Sequence, residues 1–139
     1  MCSCSRRTAI AILASVALGQ TATAAPDERT RKFVEAAFKM KAEAERTGDQ
    51  PYGAVVVRGE EIVGFGPSRV IVKRDWTAHA EREAMRDAQT RLARADLSDC
   101  VIYSTSRPCS NCERAAFEAR LGRMFYGPGA SDAGPPRSS

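Results

Sequence analysis

The chain of 139 residues has one histidine, one tryptophan and an aromatic content of only 6%. Any imidazole chemistry it performs therefore rests on His79. It has no apolar run approaching the roughly 20 residues that span a bilayer, which excludes a membrane-spanning helix in the mature protein. Nor does it have a marked excess of one charge: 21 basic residues stand against 17 acidic ones. That balance is too even to imply nucleic-acid binding by charge alone. Large apolar side chains are missing from residues 128–139, which predicts a disordered tail there.

The first segment has its own grammar. Met1 to Arg7 is basic, Thr8 to Leu18 is apolar, and Gly19 to Ala24 is small and polar, the pattern of a cleavable export signal over residues 1–24. The paired Arg6 and Arg7 resemble a twin-arginine signal, and Ala9 stands where that motif usually has phenylalanine, so an ordinary secretory signal is the alternative. Either route predicts an exported, periplasmic protein. Folded export has a chemical logic, because a metal held by thiolates can be loaded before the chain meets an oxidising compartment. Cleavage removes Arg6, Arg7, Cys2 and Cys4, leaving 115 residues with 19 basic groups against the same 17 acidic ones. The mature cysteines are Cys100, Cys109 and Cys112, an odd number that argues against a disulfide framework.

What remains is one small domain, residues 25–127. Phe33, Ala36, Ala37, Met40 and Ala44 form a helical stripe within Arg29 to Arg46, ended by Gly48 to Pro51. Gly53 to Arg58 and Glu61 to Phe65 predict a hairpin turning at Gly59-Glu60. The almost continuous apolar first strand implies a sheet covered on both faces. Arg69 to Trp76 is predicted as a loop, and Thr77 or Ala78 to Ala93 as a helix with Ala80, Ala84, Ala88 and Leu92 on one face. Cys100 to Thr105 predicts a third strand, Pro108 to Leu121 a helix, and Arg123 to Tyr126 a fourth strand. Strand, helix and strand in succession favour a parallel pair, with a ligand site where helices begin at strand carboxyl ends.

Two motifs fall at those helix starts: His79-Ala80-Glu81 and Pro108-Cys109-Ser110-Asn111-Cys112. Taken alone, Cys109-x-x-Cys112 is also the pattern of a disulfide or a thiol redox pair. Together, one imidazole and two thiols supply the three protein ligands of a hydrolytic zinc ion, with the fourth position open to water. The positive ends of two helix dipoles favour the thiolate form there. Glu81 is left over as a carboxylate not needed by the metal; its alternative role is to stabilise its own helix N-terminus.

The pair of motifs is the signature of zinc-dependent nucleobase deaminases. With Pro51 to Val57, Thr77 to Glu81, Arg86-Asp87-Ala88, Tyr103-Ser104-Thr105 and Phe125-Tyr126-Gly127, the chain resembles the cytidine and deoxycytidylate deaminase superfamily. It is most similar to the branch of guanine, purine nucleoside and tRNA adenosine deaminases. The resemblance implies a three-layer α-β-α fold with a mixed sheet, truncated at its C-terminus. It implies Zn2+ on His79, Cys109 and Cys112, and Glu81 as the catalytic proton carrier. Ala80, through its backbone, and Ser68, Tyr52 and Trp76 are candidate substrate contacts, with packing roles as the alternatives for the two aromatics. A small-molecule base or nucleoside is the expected partner, guanine or another purine first, with a homodimer expected and nucleic acid not.

Departures from that pattern bear on the substrate. Ser68 stands where the branch commonly has asparagine, and Arg107 where it commonly has glutamate before Pro-Cys. The strand and helices that usually follow the fourth strand are expected to be missing, leaving that strand as an exposed edge that a second copy would cover. Two further readings follow: a zinc-binding pseudoenzyme with an unclosed pocket, or a deaminase of nucleic acid.

Overall fold

The structure, a computed structural model, describes residues 24–138, so the predicted export signal lies almost wholly outside the described residues. The first helix, α1 (Glu28–Arg46), starts where Asp27 accepts the Thr30 N–H at 2.7 Å and places Glu28 in the first turn. It stops at Gly48, whose φ of +77° lets the Asp49 N–H turn back to the Ala44 carbonyl at 2.8 Å. Strands β1 (Gly53–Arg58) and β2 (Glu61–Pro67) form the expected hairpin. A one-turn helix α2 (Val70–Lys73), helix α3 (Ala80–Leu92), strand β3 (Val101–Ser104), helix α4 (Ser110–Glu118) and strands β4 (Arg123–Tyr126) and β5 (Ser131–Gly134) follow.

The five strands make one mixed sheet in the order β2-β1-β3-β4-β5. Only β3 and β4 are parallel, as the strand-helix-strand pattern predicts; every other neighbour is antiparallel. Alternate residues of β1 serve opposite faces. Val55 and Val57 join Phe33, Val34 and Ala37 of α1 with Tyr103, while Ala54 and Val56 join Ala80, Ala84, Met85, Ala88, Ala116 and Leu121 beneath α3 and α4. The result is three layers, with α1 on one side of the sheet and α3 with α4 on the other.

Helix α3 sits unusually close to β2 because both surfaces are stripped of side chains. Ala80, Ala84 and Ala88 are fully buried, and a β-carbon added at Gly66 would run into the Ala80 carbonyl and the Ala84 backbone. Asp87 of α3 accepts the Phe65 N–H of the edge strand β2 at 2.8 Å, and Arg91 caps the same carboxylate at 2.9 Å while lying over the Phe65 ring. This edge is thereby closed to pairing by charge and a side-chain bond.

Two expectations fail. The predicted loop at 69–76 contains α2, because the carboxylate of Asp49 accepts the N–H groups of both Ile71 and Val72 at 3.0 and 2.8 Å. A remote residue thus caps a β-branched triplet that local propensity disfavours as helix. The predicted disordered tail contains β5, so β4 is not an edge. There the backbone ladder with β4 and the two oxygens of Asp132 accepting from Arg123 Nε at 2.8 and 2.9 Å replace apolar burial as the ordering force.

Gly66→Ala tests the α3 seat. Because the obstruction is backbone, the variant is expected to lose about 3 kcal/mol of unfolding free energy in urea melts. Unchanged stability would show that α3 does not approach β2 so closely.

Candidate functional site

His79 is the N-cap of α3 and Cys109 the N-cap of α4, each with extended backbone at ψ of 155° and 166°. The approach to His79 is shaped by Asp75, which accepts from the Thr77 N–H at 2.8 Å and the Thr77 hydroxyl at 2.7 Å. Such an Asx turn aims the chain into the helix. Cys112 lies one turn along α4 and is fully buried, whereas Cys109 is exposed.

The sulfurs of Cys109 and Cys112 stand 3.7 and 3.5 Å from His79 Nδ1, and the three donor atoms lie within 4.8 Å of one another. A tetrahedral zinc ion with bonds of about 2.3 Å to sulfur and about 2.0 Å to nitrogen requires sulfur-to-nitrogen edges of about 3.6 Å. The donor set fits that ion in type, number and spacing. Ser104 Oγ, on the face of β3 that meets α3 and α4, is buried without a hydrogen-bond partner among the described residues.

Glu81 is 5% exposed, and burial pushes its carboxyl above the ordinary carboxylate range. Burial likewise pushes the Cys112 thiol well above its usual value, reinforced by the Glu81 charge. These anions oppose one another, and a cation between the ligands reverses that opposition. Cys100 is different. Burial and neighbouring Asp99 push its thiol up to about 11, and it takes no part in the site, as its sequence position suggests.

Two of the three ligands border a cleft of about 650 Å³ whose lining includes His79, Ala80, Glu81 and Cys109 with Tyr52, Ser68 and Trp76. Every predicted site residue except the buried ligand Cys112 therefore lines one cavity. Ala80 contributes the first turn of α3, where backbone N–H groups lack intrahelical acceptors. Tyr52 is 44% and Trp76 83% exposed, so both offer ring faces at the rim and neither serves chiefly as packing. Ser68 is fully buried, and its hydroxyl donates to Asp49 at 2.8 Å. Its hydrogen is committed, leaving only oxygen lone pairs for a ligand.

Gln50, Ser106 and Arg107 also line the cleft and were not among the sequence candidates for substrate contact. Arg107 carried a signal, its place beside Pro108-Cys109; Gln50 carried none, being far from both motifs. Asp49 was missed as well, read only as part of a helix stop. Its carboxylate fastens Ser68, Gln50 and the start of α2, and so shapes one wall of the cleft.

The profile of the cytidine and deoxycytidylate deaminase zinc-binding region matches residues 27–128. The chain belongs to this deaminase family. Zinc is its metal, and the imidazole and paired thiols described above are the group that fits it. Among its relatives, a tRNA-specific adenosine deaminase of Buchnera aphidicola is 35% identical over 104 residues, 75% of this chain and 69% of that protein. The guanine deaminase of Bacillus subtilis is 35% identical over 102 residues, 73% of this chain and 65% of that protein. Its solved structure superposes with a TM-score of 0.66, covering 69% of this chain and 62% of the other. A solved deaminase that edits A34 of transfer RNA superposes at 0.68 with 33% identity, over 71% of this chain and 75% of the other. Relatives of both kinds are deaminases, so the family supports hydrolytic deamination without naming the base.

Two measurements check the site. Metal analysis of the chain purified without chelator is expected to give one zinc per chain, falling to near zero in His79→Ala and Cys112→Ser; zinc retained by both variants would refute the ligand set. Asp49 gives a pH signature. Burial would raise its carboxyl, but hydrogen bonds from Val72, Ser68, Gln50 and Ile71 outweigh that and hold it below the usual value. A carboxyl depressed by folding stabilises at neutral pH, and the contribution is lost as pH falls through the folded-state value. Acid unfolding below about pH 4 is therefore expected to be shallower in Asp49→Asn, which should also be about 1–3 kcal/mol less stable at pH 7. Coincident pH-stability curves would remove Asp49 from this role.

Proposed function

We propose that the chain is a hydrolytic deaminase of a purine base or its nucleoside, with guanine the leading substrate, releasing ammonia. The observation that carries this is the position of Glu81: a buried carboxyl, spare to the metal set, lining the same cleft as His79 and Cys109. Zinc bound there would polarise a water molecule and lower its pKa toward neutrality. Glu81 would take a proton from such a water on a carboxylate oxygen and deliver it to the ring nitrogen beside the amino-bearing carbon, while the water's oxygen bonds to that carbon and the ring C=N bond becomes single. It would then take the proton of the new hydroxyl and pass it to the amino group, so that the C–N bond breaks, ammonia leaves and the carbonyl forms. Its burial favours the proton-carrying state, which suits a group that must hold the proton between these transfers. The α3 N-terminus at Ala80 orients a carbonyl of the base, and Tyr52 and Trp76 offer faces for stacking.

The export signal read in residues 1–24 would put this activity in the periplasm, away from transfer RNA, and a homodimer is the proposed assembly. A second reading draws on the 83% exposure of Trp76: a cleft left open at its rim could keep zinc without turning over a substrate.

An ammonia-release screen across purines, pyrimidines and their nucleosides separates the two readings. Turnover is expected with a purine, and Glu81→Gln is expected to keep its zinc while losing about 10²- to 10⁴-fold in rate. A Glu81→Gln variant as active as the parent would overturn the proton-carrier role. Full zinc occupancy with no ammonia from any substrate favours the second reading.

A further inference from the structure

The two cysteines of the metal set differ in access. Cys109 is exposed and lines the cleft, whereas Cys112, one turn further along α4, is fully buried. One sulfur meets any solute that enters; the other is screened from it. Joining them asks little of the backbone, because Cα atoms three residues apart along an α-helix stand about 5 Å apart, inside the span of about 4.4–6.8 Å that a disulfide bridges. The two sulfurs already lie within 4.8 Å of each other. Cys109 has extended backbone at the helix entrance, its carbonyl accepts the Glu113 N–H at 2.9 Å, and its side chain caps nothing. Its sulfur can therefore turn from His79 toward Cys112 without costing α4 a hydrogen bond. No third thiol competes among the described residues, since Cys100 is 1% exposed and packed in the core with Leu97, Ile102 and Leu121.

An accessible sulfur with a screened partner one turn away is the arrangement in which a thiol is oxidised and then resolved. Resting on the reading of this cleft as a zinc-dependent deaminating site, we propose that Cys109 and Cys112 form a site of oxidative modification that takes hydrogen peroxide as its oxidant and gives up the metal as a disulfide closes. The Cys109 sulfur bonds to one peroxide oxygen while the O–O bond breaks, which leaves a sulfenic acid and releases hydroxide. The Cys112 sulfur then bonds to the Cys109 sulfur while the S–O bond breaks, and a second hydroxide leaves. Two protons from solvent turn both hydroxides into water. The sulfurs lose two electrons in all, and the peroxide gains them. A disulfide sulfur carries no charge to offer a cation, so the donor set falls to His79 alone, too few to hold the ion. Deamination in the cleft stops on oxidation and returns when a thiol reductant reopens the pair in the presence of zinc.

Zinc release reads this step without turnover. The zinc-loaded full chain carrying Cys2→Ser, Cys4→Ser and Cys100→Ser keeps only Cys109 and Cys112 of its five cysteines. It is treated with hydrogen peroxide beside a colorimetric zinc indicator, while free thiols are counted and the intact mass is measured. Expected are release of about one zinc per chain, loss of both thiols and a mass lower by two hydrogens, all reversed by dithiothreitol with added zinc. Without peroxide, zinc release over the same time should be at least about ten-fold less. The parent chain repeats the zinc measurement with no substitution. Zinc retained under peroxide, thiols left free, or oxidation carried on to a sulfinic acid that dithiothreitol does not reverse would overturn the inference. Reversible closure of the disulfide in a chain isolated without zinc sinks the zinc reading and keeps the modification site. Zinc-dependent ammonia release from a chain whose thiols ignore peroxide sinks this inference alone.

Discussion

Zinc chemistry in this protein depends on how closely α3 can approach the sheet. A glycine at 66 in β2 faces the backbone of Ala80 and Ala84, and nothing larger than a methyl group projects from the buried face of α3 at 80, 84 and 88. Close packing leaves no slack. The first residues of α3 are therefore fixed against the carboxyl end of β2, and α4 starts just beyond the carboxyl end of β3. Two helix N-termini 30 residues apart in the chain are brought to one point. His79 reaches both cysteines from there because the helices cannot drift apart without opening the core that Ala80, Ala84, Ala116 and Leu121 share.

The same placement makes the site electrostatically demanding. Cys112 and Glu81 are buried close together; burial disfavours the charge of both, and the Glu81 carboxylate further disfavours the Cys112 thiolate. Helix dipoles relieve part of this, each contributing on the order of 0.3–1 kcal/mol. A divalent cation relieves far more, which gives the group of one imidazole, two thiols and a spare carboxylate a physical reason to be a metal centre rather than a redox pair. Cys100, also buried but outside this meeting point, has no such partner and remains a packed thiol.

Much of this was legible in the order of residues. Hydrophobic period marked α1, the hairpin, α3, β3, α4 and β4 within a few residues, and the strand-helix-strand succession correctly implied a parallel β3-β4 pair. Illegible were the features held by long-range bonds. Helix α2 exists because Asp49 caps it from 21 residues away or more, and its own Val70-Ile71-Val72 argues for extended chain. Strand β5 carries almost no apolar surface and is ordered by the ladder of β4 and by Arg123, so composition alone marks it as unstructured. Ser68 looked like a free substrate contact, and only the fold shows its hydroxyl spent on Asp49.

By itself, the sequence determined the ligand types, the spare carboxylate and the helix starts on which they sit, because donor chemistry and capping are local properties of residue type and spacing. Tertiary structure alone decided that His79 lies within reach of both sulfurs, that Asp49 shapes one wall, and that Arg107 borders the cleft. Those are distances between residues far apart in the chain, set by packing and by which charges find partners, and no local pattern encodes them.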